Sequence, residues 1–218
     1  MPTIFIIGDS LSATKFNSKK PETGWGELLH RYVPNHYVID NHAVNGRSTK
    51  SFIDEGLFDT VKTLWKPHDI LLIQFGHNDQ KKEDPSRYTD PFGSYTDNLS
   101  YFIIQAKLAT VKPILISSIT RRIFIDKGIL DGHTLGDYPE AMHLVAVKHN
   151  VAFVDVFQTS QAIVASLGVE QSKNLYLHLD PKAHTNYPDG IIDNTHLNEH
   201  GADVMASIIG LSIAPYLT

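Results

Sequence analysis

Along the chain, short apolar runs rich in β-branched residues alternate with longer stretches of helical period. Thr3–Ile7, Ile70–Phe75, Pro113–Ser118 and Val151–Val156 are nearly continuous in apolar character, as expected of strands covered on both faces. Tyr37–Asn41 reads as a weaker fifth strand. Leu99, Phe102, Ile103, Ala106 and Thr110 recur at helical spacing, and Ser94-x-x-Asp97 just upstream has the form of an N-terminal capping signal. This predicts a helix between the third and fourth strands in chain order. Ala202, Met205, Ile208, Ile209 and Ile213 form a stripe of period near 3.6 with Asn198 or Glu199 in the starting turn, predicting a C-terminal helix packed on the sheet. Segments 24–33, 57–65 and 139–149 are further helix candidates, whereas 120–137 and 171–195, rich in charge, Gly, Pro and His, read as loops. Such alternation is the signature of βαβ units around a parallel sheet.

Composition narrows the class. The 218 residues, 42% hydrophobic and 20% charged, suit a single globular domain spanning 1–218 with a sizeable core. Nineteen basic against 24 acidic residues give a net charge of −5, which argues against a general nucleic-acid or anionic-membrane binder. The chain has no cysteine, so disulfides, thiolate nucleophiles and sulfur-ligated metals are excluded, and His, Asp or Glu would have to hold any metal. No segment approaches the roughly 18 apolar residues of a membrane span, and the first apolar run is too short for a secretory h-region. The expected location is therefore the cytoplasm, or the outside of the cell for an exported protein whose leader has been removed. Nothing in the sequence signals an oligomeric state.

Ligands of open α/β sheets bind beyond the carboxyl ends of the strands, so the residues there carry the chemistry. Gly8-Asp9-Ser10 follows the first strand, Asn45-Gly46-Arg47-Ser48 the second, and Gly76-His77-Asn78-Asp79 the third, while Asp193-Asn194-Thr195-His196 precedes the C-terminal helix. Ser10 is placed to present a hydroxyl at a helix N-terminus, and a serine nucleophile needs a base that a carboxylate orients. Asp193 and His196 supply that pair. Acyl transfer also needs donors for an oxyanion. A glycine lets a backbone N–H approach closely and an Asn amide is a donor that no proton transfer removes, so Gly46 and Asn78, with the Ser10 N–H, offer three. Taken singly, each block is an ordinary turn or cap; their joint placement at successive strand ends is what favours a site.

These four blocks resemble those of the SGNH hydrolases, a class of esterases. The resemblance implies a flavodoxin-like three-layer α/β/α fold with a five-stranded parallel sheet, Ser10 as nucleophile, His196 as base, Asp193 as its orienting acid, and Ser10, Gly46 and Asn78 as oxyanion donors. Within that class the chain looks most like the rhamnogalacturonan acetylesterases, through Gly24-Trp25-Gly26, Asn41-His42-Ala43, Gly46-Arg47-Ser48, Phe75 to Asp79, Gly93-Ser94-Tyr95, Arg121-Arg122 and Asn186-Tyr187-Pro188-Asp189-Gly190. It implies an acetylated pectic oligosaccharide as substrate and no metal or cofactor. A uronate-bearing chain would need local cations; Arg47, Lys50, Arg121 and Arg122 follow strand ends, and His77 and Tyr187 join Arg47, Arg121 and Arg122 as candidate substrate contacts. Trp25 suits either sugar stacking or the core.

Three rival readings remain at this level. His196-Leu197-Asn198-Glu199-His200 fits the His-x-x-Glu-His pattern of inverted zinc peptidases, but after His200 only Asp203 could complete the ligand set. A non-catalytic carbohydrate- or phosphate-binding module on the same sheet would leave Asp193 and His196 without a task, and Gly8 to Thr14 holds no basic residue. The third keeps the chemistry and changes the substrate to another acetylated carbohydrate such as acetylxylan.

Overall fold

The structure is a computed structural model and describes residues 1–217, the Lys127 side chain excepted. Strands β1 (Thr3–Gly8), β2 (Val38–Asn41), β3 (Ile70–Gln74), β4 (Lys112–Ile116) and β5 (Ala152–Val154) form one parallel sheet in the order β2-β1-β3-β4-β5. This is the flavodoxin-like order, as expected. Along β1, Ile4 and Ile6 enter one core while Phe5 and Ile7 enter another on the opposite face. The strands read as unbroken apolar runs because both faces are covered.

Helices α1 (Trp25–Leu28), α6 (Val156–Gln171) and α7 (Glu199–Ile213) contribute Trp25, Leu28, Val164, Met205 and Ile209 to the first core. On the other face α2 (Thr49–Asp54), α3 (Leu57–Lys62), α4 (Ser94–Leu108) and α5 (Tyr138–His149) contribute Phe52, Phe58, Phe102, Met142 and Val145. Phe102 is fully buried and packs against Phe52, Phe58 and Phe75, so truncating it to alanine should cost about 3–5 kcal/mol. Among the described residues no helix is long and apolar enough to cross a membrane.

The structure departs from several sequence-based expectations. The segment 171–195, read as loop, contains strand β6 (Tyr176–Leu179) and the start of β7 (Ile191–Leu197), an antiparallel hairpin beside α7. Segment 120–137, also read as loop, holds a two-residue ladder, Phe124–Ile125 with Ile129–Leu130. Helix α6 has no counterpart in the expected elements because it buries only Val156, Ser160 and Val164, a thin stripe broken by a serine, and because Gly168 is non-helical within it. Its start was nonetheless written in Asp155-x-x-Gln158, where the Asp155 carboxylate accepts from the Gln158 N–H at 3.0 Å. Helix α4 is capped differently from expectation: Gly93 is its N-cap, and the Ser94 hydroxyl instead accepts from the Asp90 N–H at 3.0 Å. Asn198 does cap α7, its Oδ1 accepting from the Gly201 N–H at 2.9 Å.

Candidate active site

Ser10 does not sit at a helix N-terminus. After β1 the chain makes a single turn, closed by the Ala13 N–H on the Asp9 carbonyl at 3.0 Å; the next helical turn is the short 3-10 segment Asn17–Lys19, and the first α-helix begins at Trp25. The turn is fixed by Asp9, whose buried Oδ1 accepts from the Leu11 N–H at 3.0 Å. Gly8 admits the close passage of neighbouring chain: a Cβ there would stand 2.6 Å from the Gln74 carbonyl oxygen. Ser10 is thereby held almost buried at the carboxyl edge of the sheet, 9% exposed.

The Asp193–His196 pair comes from a bulge in the hairpin. On β6, consecutive Tyr176 and Leu177 face Leu197 and Asp193 of β7, so residues 194–196 bow out of the ladder. Asp193 Oδ1 closes the bow by accepting from the backbone N–H groups of Thr195 at 2.7 Å and His196 at 2.9 Å. Its Oδ2 lies 2.7 Å from His196 Nδ1, and His196 Nε2 lies 2.9 Å from Ser10 Oγ. Burial alone would raise the Asp193 pKa, but the His196 ring and the two backbone donors outweigh it and hold the carboxyl at about 2. An ionised Asp193 can only accept, so Nδ1 carries the proton and Nε2 is free to accept from the Ser10 hydroxyl.

Gly46 and Asn78 arrive from the ends of β2 and β3. The Arg47 N–H donates to the Val44 carbonyl at 3.3 Å, closing a turn with Gly46 third and at φ +77°. That backbone angle favours glycine. Asn78 Oδ1 accepts from Arg87 Nη1 at 3.3 Å, and its Nδ2 donates to the Arg47 carbonyl at 3.1 Å. Both ends of the amide are therefore oriented, and one N–H is left. Ser10, Gly46, Asn78, Asp193 and His196 all line one cleft of about 410 Å³. The arrangement can deliver a serine oxygen, remove its proton and offer hydrogen-bond donors beside it.

The cleft is cationic. Lys19, Lys81, Arg87 and Arg121 line it, against the carboxylates of Glu22 and Asp193. Of the candidate substrate contacts, Arg121 and His77 belong to this wall. The Arg121 guanidinium donates to the Thr134 carbonyl at 2.9 Å and the His77 carbonyl at 3.5 Å. His77 is buried, and desolvation, reinforced by the Arg121 charge, holds its pKa well below the usual value, so it is a neutral ring donating from Nε2 to the Ile119 carbonyl at 2.9 Å.

The structure places the others elsewhere. Arg122 is buried outside the cleft lining, donating to Ser172 Oγ and Asn194 Oδ1, each at 2.9 Å, and to the Val169 carbonyl. Arg47 pairs with Glu55 at 2.8 Å in an adjoining groove, and Lys50 donates to the Pro85 carbonyl at 2.6 Å. The Tyr187 hydroxyl donates to the Lys19 carbonyl at 3.0 Å, latching the 186–190 loop to the turn that carries Lys19. Trp25 is fully buried and donates to Gln74 Oε1 at 3.1 Å, a core residue. Lys19, Glu22, Asn45, Lys81 and Arg87 were not anticipated; they lie in turns, loops and one short 3-10 helix, where no periodicity or spacing announces them. In the His-x-x-Glu-His stretch, both ring nitrogens of His196 are occupied by Ser10 and Asp193, and His200 is exposed on the first turn of α7.

The sequence pattern of the GDSL-like lipase/acylhydrolase family matches residues 4–209. The chain belongs to this family. As a GDSL-like hydrolase it acts on carboxylic esters. It is similar to the rhamnogalacturonan acetylesterase RhgT of Bacillus subtilis (strain 168), 36% identical over 210 residues that cover 96% of this chain and 88% of RhgT. Its fold is similar to that of YxiM from Bacillus subtilis, with a TM-score of 0.81, 22% identity, and coverage of 99% of this chain and 56% of that one. The fold also matches Axe2, an acetylxylan esterase from Geobacillus stearothermophilus, with a TM-score of 0.68, 16% identity, and coverage of 97% and 94%.

Proposed function

We propose that this hydrolase removes acetyl groups from rhamnogalacturonan-type pectic oligosaccharides through an acyl-enzyme on Ser10. The observation that carries the mechanism is the unbroken chain from Ser10 Oγ to His196 Nε2 at 2.9 Å and from His196 Nδ1 to Asp193 Oδ2 at 2.7 Å. Ser10 Oγ attacks the acetyl carbonyl while its proton passes to His196 Nε2, and Asp193 stabilises the imidazolium that results. The oxyanion is held by the Ser10 and Gly46 N–H groups and the remaining Asn78 Nδ2–H. Collapse expels the sugar oxygen, which takes the proton from His196. Water, deprotonated by His196, then attacks the acetyl-serine ester; the bond from Ser10 Oγ to the acyl carbon breaks, His196 returns the proton to Ser10 Oγ, and acetic acid leaves.

The substrate class is supported by the 36% likeness to RhgT and by the four cations of the cleft, which suit the carboxylates of a uronate chain. Ser10→Ala should abolish ester hydrolysis in a protein that still folds. Acetate release should be faster, as kcat/KM, from acetylated rhamnogalacturonan oligosaccharides than from acetylated xylooligosaccharides. Arg121→Ala should erode that preference by about tenfold or more, the effect of losing a charge-assisted contact. Equal rates on both polymers, unchanged by Arg121→Ala, would remove the pectic assignment and leave the esterase.

A further inference from the structure

Lys15 is a charged residue that the mechanism above does not use, yet its side chain is wholly excluded from solvent. Its ammonium has three N–H donors, and each has its own acceptor. The Ser10 carbonyl lies at 2.5 Å, Asn45 Oδ1 at 2.8 Å and Glu22 Oε1 at 2.8 Å. These partners come from three separate segments: the nucleophile's turn, the turn that carries Gly46, and the cleft wall. A buried ammonium is costly even when paired, and apolar replacements of buried ion pairs are often neutral or stabilising. Fold stability alone is therefore a poor reason for the residue.

The geometry points to Lys15 as a positioning residue that locks the nucleophile's turn and the Asn45–Gly46 turn into one arrangement. This inference rests on the reading of Ser10 and Gly46 given above. With Gly46 third in its turn and at φ +77°, the turn is of type II; type I differs by rotation of the central peptide. That peptide joins Asn45 to Gly46, so its rotation would swing the Gly46 N–H away from its present direction. Arg47 Nη1 holds the peptide's carbonyl, on Asn45, at 3.1 Å. Lys15 holds the Asn45 side chain and ties it to Ser10, so the spacing between two oxyanion donors is set by one ammonium. The expectation is a loss in turnover with little change in substrate binding.

The test compares Lys15→Met, Lys15→Met/Glu22→Gln, which removes both charges together, Asn45→Ala, and Lys15→Met/Asn45→Ala, on a small aryl acetate that reaches only the reacting centre. Each folded Lys15 variant should lose about 10- to 100-fold in kcat with KM within about twofold. Asn45→Ala should lower kcat and, by leaving one N–H of the buried ammonium without its acceptor, lower the melting temperature as well; adding it to Lys15→Met should cost nothing more in kcat, since both break one link. A purely structural lysine would lower the melting temperature and leave kcat intact in the folded fraction, which overturns the inference. If neither Lys15 variant folds, Asn45→Ala decides: wild-type kcat there also overturns it. Ser10→Ala separates the two levels, because residual activity in that variant would sink the acyl-enzyme itself, whereas an inactive Ser10→Ala beside fully active Lys15 variants sinks only the positioning role.

Discussion

Asn78 offers the sharpest test of how the oxyanion is held. Its amide is clamped at both ends, by Arg87 Nη1 on Oδ1 at 3.3 Å and by the Arg47 carbonyl on Nδ2 at 3.1 Å, and it is only 5% exposed. The second Nδ2–H is therefore already oriented, on a residue that lines the cleft. Asn78→Ala removes that donor, and loss of one preorganised oxyanion donor costs about 2.7–4 kcal/mol of transition-state stabilisation, or roughly 100- to 1000-fold in kcat. It also leaves the Arg47 carbonyl without its partner, adding about 1 kcal/mol of lost fold stability. Asn78→Asp should be worse than alanine, because a carboxylate oxygen would face both the oxyanion and the Arg47 carbonyl. Arg87→Ala keeps the donor and frees one end of its clamp, so the loss in kcat should be smaller, about tenfold or less. The assay is steady-state hydrolysis of 4-nitrophenyl acetate, with kcat and KM separated and folding checked by thermal melting. If Asn78→Ala raised KM at unchanged kcat, or if Asn78→Asp matched the wild type, the amide would be a binding group and not an oxyanion donor.

Stability should depend on pH in two opposite arms. Desolvation raises buried Asp79 to about 7 despite hydrogen bonds from Thr49 and Thr89, and raises buried Asp9 to about 6. The folded chain thus holds these protons more tightly than the unfolded one, so their contribution falls as pH rises from about 4 to about 7. Asp193, depressed to about 2, contributes in the opposite sense and is lost as pH falls from about 4 toward 2. Melting temperatures followed from pH 3 to 8 should show both arms, and Asp79→Asn should flatten the upper one; an unchanged upper slope would show that Asp79 is ionised in the fold. Arg122→Ala should destabilise by about 3 kcal/mol, since it removes three hydrogen bonds made by a buried guanidinium, while KM for the oligosaccharide stays put; a raised KM with unchanged melting would return Arg122 to the substrate. Turnover should survive a chelator and His200→Ala alike, because Ser10 and Asp193 occupy both nitrogens of His196; zinc-restorable loss of activity would reverse that assignment.

What the sequence made legible follows from how far each signal reaches along the chain. Strands covered on both faces announce themselves as local apolar runs, and the end of each strand points to its functional block. The hairpin was hidden because the residues that make it a strand pair are also those that make it a site: Asp193, Asn194, Thr195 and His196 read as a polar loop, and their bulge depends on pairing with Tyr176 and Leu177. Helix α2 was hidden by its length, six residues opened by a Ser48–Ser51 capping box. Lys15 and Arg87 were invisible for a different reason. Each acts on a partner from another segment, Lys15 on Asn45 and Arg87 on Asn78, and no spacing within their own segments encodes that meeting.

The Arg121-Arg122 pair shows how a motif can be legible while its division of labour is not. In sequence the two are adjacent cations after one strand, and both were expected to meet the substrate. In the fold their guanidinium groups part. Arg121 stands in the cleft wall, held by the Thr134 and His77 carbonyls, where its charge acts on Asp9 and Asp193. Arg122 stands behind the hairpin and grips Asn194 through both side chain and backbone, the Arg122 N–H donating to the Asn194 carbonyl at 2.8 Å. Asn194 is the residue after Asp193, inside the bulge that brings Asp193 and His196 together. His178 approaches the same Asn194 oxygen at 2.8 Å, so the bulge is pinned through Asn194 by two side chains. One arginine thus lines the cleft and the other braces the bulge that holds Asp193 and His196. Replacing Arg121 should therefore change which esters are cleaved, whereas replacing Arg122 should change how long the catalytic strand stays in place.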